Sequence, residues 1–134
     1  VEDPLYRSEK TKKLLESTDK SLKASISISD FDRLIRNKIT AGLPQKTGEN
    51  IINERVAEAW KNITAGKLDA TAFLENVELI RQRLTDMINR FGTERVLYAG
   101  PECGLKSFPT SECALECLRR TVNAVKMYRT PNQK

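Results

Sequence analysis

An all-α chain is the fold that this sequence predicts: an up-down four-helix bundle with a C-terminal extension carrying a fifth helix. Three observations predict it. Apolar residues recur at three- and four-residue steps over much of residues 8–91, glycines follow the periodic stretches, and the gaps between stretches are short. No strand-like alternation is read over residues 1–92, and no internal repeat aligns.

The first helix is expected from about Ser8 to Ile26, where Leu14, Leu15, Leu22 and Ile26 form a stripe with polar gaps. Ser29 is the expected N-cap of a second helix, which carries Phe31, Leu34, Ile35 and Ile39 and stops at Gly42 and Pro44. The third runs from Glu49 to Ile63 on Ile52, Val56, Ala59 and Ile63, with Trp60 widening the face and Gly66 beyond it. The fourth runs from Phe73 to Phe91, with Val77, Ile80, Leu84, Met87 and Phe91 on one stripe and Arg81, Arg83, Asp86 and Arg90 largely outside it. Gly92 stands at its C′ position.

The pattern changes after Gly92. Arg95 to Ala99 reads as a short strand or an extended arm, and Gly100-Pro101-Glu102-Cys103-Gly104 as a turn. Thr110 or Ser111 then caps a last helix bearing Leu115, Leu118, Val122 and Val125, with Glu116 and Arg120 paired at i,i+4. The expected division is a bundle over 1–92 and an arm over 93–134.

The length of 134 residues suits one domain. No apolar run approaches the roughly 18 residues of a membrane span. Net charge is +5, from 23 basic and 18 acidic side chains. Residues 101–134 hold six basic against three acidic groups, so much of the surplus lies there. A basic surface steers acidic partners. Without a dense Lys/Arg arm or an aromatic-rich basic strand, a helical nucleic-acid-binding domain is the weakest of the functional readings. Val1 opens a polar segment, as a processed terminus or an arbitrary boundary would. Processing would imply that a targeting segment has been removed.

Catalytic groups are scarce. The chain has no histidine, the commonest general base. No pair of acids stands out, and there is no glycine-rich phosphate loop, nucleophile elbow or acidic metal loop. The expectation is therefore no catalytic residue, no resident metal, no cofactor and no small-molecule substrate. Asn62-Ile63-Thr64 matches a glycosylation acceptor at a helix end.

All three cysteines, Cys103, Cys113 and Cys117, fall within fifteen residues of the arm, and the last two share a helix face at i,i+4. Cys103 could fold back on either one as a disulfide in an oxidising compartment. All three could instead be ordinary thiols on an apolar face. A zinc site needs three or four nitrogen or sulfur donors, and no histidine is present to complete a mixed set. The function expected from this balance is a non-catalytic accessory subunit that docks by charge on a larger assembly. Lys10, Lys12, Lys13, Arg33, Arg36, Lys38, Arg119 and Arg120 are the candidate docking residues.

Two resemblances sharpen these expectations. The polar start, the four amphipathic helices and the separate arm resemble the extrinsic lumenal four-helix-bundle subunits of algal photosystem II. That likeness implies a thylakoid-lumen protein docked on a membrane-bound complex in support of oxygen evolution.

The segment from Val96 to Ser107, with Pro101-Glu102-Cys103-Gly104-Leu105-Lys106 at its centre, resembles the last barrel strand of cobalamin-independent methionine synthases. It implies that Cys103 is a thiolate ligand of a zinc that activates homocysteine, and that the chain is a fragment or relic of such a methyltransferase. The His-x-Cys element of that family has no counterpart here, and its barrel is over twice this length.

Overall fold

A computed structural model describes residues 4–129 and shows a mixed α/β chain, not a four-helix bundle. Six α-helices accompany a two-stranded parallel sheet among these residues: α1 (Pro4–Arg7), α2 (Glu9–Glu16), β1 (Leu22–Ser27), α3 (Phe31–Ala41), α4 (Glu49–Thr64), α5 (Val77–Phe91), β2 (Val96–Pro101) and α6 (Ser111–Arg129). A 3-10 turn, Ala70–Phe73, lies between α4 and α5.

The correction is concentrated in the first predicted helix. Only Glu9–Glu16 is α-helical there, capped by Ser8, whose hydroxyl accepts from the Thr11 N–H. Ser17 and Thr18 then turn their hydroxyls back onto the carbonyls of Leu14 and Leu15, which competes with further helix. From Leu22 the chain is extended. Ala24-Ser25-Ile26-Ser27-Ile28-Ser29 alternates apolar and hydroxyl side chains, the period of a strand rather than a helix. Leu22 and Ile26 fit either period. The serines between them decide for two.

β1 pairs with β2 from Leu22↔Val96 to Ser27↔Pro101, with irregular register at both ends. The residues between the strands form the crossover that a parallel pair requires. The arm expected over 93–134 therefore includes a strand hydrogen-bonded to β1, and its helix enters both hydrophobic clusters.

The later helices form near their expected places. Asp30, not Ser29, caps α3, its carboxylate accepting from the Arg33 N–H at 3.2 Å. Asn76 caps α5 and Thr110 caps the start of α6. α5 starts at Val77, after a 3-10 turn held by the Asp69 carboxylate.

One core packs Phe31, Leu34 and Ile35 of α3 against Ile52 and Val56 of α4, and α6 adds Cys113 and Cys117. The other packs Ala24 and Ile26 of β1 with Ile80, Leu84 and Met87 of α5, and with Ala124 of α6. Each large side chain buried this way contributes about 1.5–3 kcal/mol.

Gly92 ends α5 at φ 88° and ψ 152°, a region that is almost exclusively glycine's. A Gly92→Ala substitution is expected to cost about 1–3 kcal/mol in chemical unfolding, with the helical circular-dichroism signal retained. A neutral result would mean that the turn into β2 can relax.

Candidate functional site

The carboxyl ends of β1 and β2 lie side by side because the strands are parallel and pair as far as Ser27↔Pro101. Beyond that pairing the chain is held by specific hydrogen bonds. The Glu102 N–H donates to the Ser27 carbonyl at 3.0 Å, and the Cys103 N–H donates to the Ser29 hydroxyl at 3.0 Å. The Ser29 N–H donates to the Glu102 carboxylate at 3.4 Å, and Arg33 of α3 meets the same carboxylate at 3.3 Å. Ser107 closes the group: its hydroxyl donates to the Ser29 carbonyl and accepts from the Phe31 N–H. Buried Phe108 anchors the far side of the connection in the core.

Cys103 is an exposed free thiol at this end of the sheet. Cys113 and Cys117 are buried free thiols on α6. The disulfide considered from the sequence is not formed, and the two classes of thiol differ in chemistry. Burial pushes the Cys113 thiol up to about 11, and the neighbouring Cys117 adds to the shift. Burial also raises Cys117, whose sulfur lies 3.9 Å from the Ile28 carbonyl. Both stay protonated at neutral pH and pack as small apolar groups.

This raised value fixes a pH dependence. Below pH 9 the Cys113 thiol is protonated whether the chain is folded or unfolded. Above pH 9 the unfolded thiol ionises first, so its stabilising contribution is lost as pH rises toward 11. Urea unfolding at pH 8 and 10.5 should show a steeper alkaline decline in the parent than in Cys113→Ala.

The eight candidate docking residues are spread over three helices. Lys12 pairs with Glu16, Arg36 with Glu49 and Asn53, and Arg33 with Glu102. Lys38 donates to the Ala72 carbonyl and lies over the Phe73 ring. Arg119 and Arg120 both meet Glu116, and Arg120 also holds the carbonyls of Leu74 and Glu75 at 3.1 Å. Lys10 and Lys13 are exposed on α2. Six of the eight are thus engaged within the chain.

Ser29 and Ser107 have roles that the sequence did not indicate. Ser29 was expected as a helix cap, and Ser107 sat at the edge of the methionine-synthase-like segment. The alternation before Ser29 was the signal that could have placed it at a strand end. No described helix is long and apolar enough to cross a membrane. Searches of protein-family models, curated proteins and solved structures find no match to this chain.

Proposed function

We propose that this chain is part of a parallel β/α enzyme of the zinc-thiolate methyl-transfer type, similar in its last strand to cobalamin-independent methionine synthases. Cys103 is the thiolate that it contributes. One observation carries the reading: Cys103 is exposed two residues past the end of β2, at the carboxyl ends of a parallel strand pair. Parallel β/α proteins place their reactive groups at that end. A Pro-Glu-Cys-Gly-Leu-Lys segment at such a strand end supports this reading.

The sheet itself supports the same reading. Parallel strands occur almost only within larger sheets covered on both faces. Here the described sheet has two strands, and Leu97 and Tyr98 of β2 are 53% and 68% exposed. In a larger sheet of this type, crossover helices cover the faces on which such side chains stand.

The described residues do not by themselves fit a zinc ion. Among them no group of three or more histidine, cysteine or acidic side chains could hold a metal, and Cys103 is one donor of the three or four needed. The reading assigns the remaining donors to polypeptide other than these 134 residues, which hold no histidine and no cysteine besides Cys103, Cys113 and Cys117. The docking role inferred from charge had a bundle as its frame, and six of its eight residues are already engaged, so the strand-end thiol is the better-supported basis for a function.

The test is metal analysis of the full-length protein that carries this chain, purified without chelators. Stoichiometric zinc that is lost in Cys103→Ser and kept in Cys113→Ala supports the proposal. Metal-free parent protein overturns it.

A further inference from the structure

We infer that Ser29 is a positioning residue for Cys103, an inference that rests on the reading of Cys103 as the reactive thiol. Ser29 is 1% exposed, and all three of its polar groups engage the connection that carries Cys103. Its hydroxyl accepts from the Cys103 N–H at 3.0 Å, its N–H donates to the Glu102 carboxylate, and its carbonyl accepts from the Ser107 hydroxyl.

A serine just before a helix ordinarily turns its hydroxyl onto the first N–H groups of that helix. Here Asp30 caps α3, and the Phe31 N–H goes to Ser107. The Ser29 hydroxyl is thereby left to the Cys103 backbone. Glu102, immediately before, is held to the Ser27 carbonyl by its own N–H and to Arg33 by its carboxylate. With the peptide groups on both sides of the Glu102 Cα fixed, the backbone entering Cys103 is fixed as well. That sets the position of the Cα from which its thiol leaves the strand end. Reactive groups need placement to within about 0.5 Å by neighbours that are themselves locked. A serine held at all three polar groups meets that need.

The test uses Ser29→Ala and Ser29→Thr, read by residue-resolved amide exchange and by the site-resolved alkylation rate of Cys103 with iodoacetamide. Loss of the acceptor in Ser29→Ala is expected to speed Cys103 amide exchange about fivefold, the factor for one hydrogen bond of ordinary net strength. The alkylation rate should shift with it. Both values should return toward the parent in Ser29→Thr, which keeps the hydroxyl. Amides of Ile26 and Ile35 should be unchanged. If Ser29→Ala does not fold, Ser107→Ala removes the other hydroxyl of the connection and should loosen the Phe31 and Cys103 amides together.

Unchanged exchange and alkylation at Cys103 would overturn the inference, as would an equal rise at Ile26, Ile35 and Cys103. The outcome is separable from the zinc reading. Metal-free full-length protein with a loosened Cys103 in Ser29→Ala removes the zinc and keeps the positioning role.

Discussion

Phe31→Ala is expected to destabilise the chain by about 3–5 kcal/mol, the range for removing a fully buried aromatic ring. Phe31 is 0% exposed at the first turn of α3. Its ring lies 5.3 Å from that of Trp60 and 5.6 Å from that of Phe108, with Phe73 at 6.3 Å. One side chain therefore joins α3, α4, the 3-10 turn and the connection before α6. Edge-on aromatic contacts of this kind add about 0.5–1.5 kcal/mol beyond buried area. Few of these neighbours can move in to fill the space, because each is fixed by a different element. Phe31→Leu keeps most of the volume and should cost clearly less. Urea unfolding of both variants checks this. A cost below about 1 kcal/mol for Phe31→Ala would mean that the site collapses, against the rigid packing described. The consequence for function is direct, because the Phe31 N–H is one of the two groups held by Ser107.

Glu75→Ala is expected to cost about as much, roughly 3–5 kcal/mol, through charge rather than volume. Glu75 and Arg83 form a two-pronged ion pair at 2.6 and 2.7 Å, with side chains only 9% and 16% exposed. The carboxylate also accepts from the Ile28 N–H at 2.9 Å, and Arg83 donates to the Ile26 carbonyl at 3.2 Å. The pair thus holds backbone groups of β1 and of the residue that follows it. Removing Glu75 leaves a buried guanidinium uncompensated and an N–H without its acceptor. Glu75→Ala combined with Arg83→Met should recover part of the loss, because no unpaired charge remains. Losses that simply add would show that the two groups are not coupled. The effect should reach the site, since Ile28 precedes Ser29.

What the sequence made legible follows from the physics of each segment. α3, α4 and α5 carry apolar stripes long enough to identify the period, and their ends carry caps or glycines, so they emerge near their expected bounds. β1 is hidden in the sequence because Leu14, Leu15, Leu22 and Ile26 also satisfy a helical spacing, in which the hydroxyl residues between the apolar ones look like gaps rather than a second period. The fold class turns on that segment, since a strand at 22–27 makes the extended segment at 96–101 half of a parallel pair. The site was half legible. Cys103 stands out from its motif, but Ser29, which accepts from its N–H, is 74 positions away and 78 from Ser107, and no spacing rule links them. The basic residues were visible as charge, whereas their engagement with carboxylates and carbonyls depends on the tertiary fold.

The most direct measurement of the central claim is cysteine-resolved alkylation of the full-length protein, with and without prior removal of metal by a chelator. The account predicts that Cys103 is protected as purified and becomes the fastest-modified thiol after chelation, while buried Cys113 and Cys117 stay slow in both states. Alkylation of Cys103 at the same rate before and after chelation would contradict it.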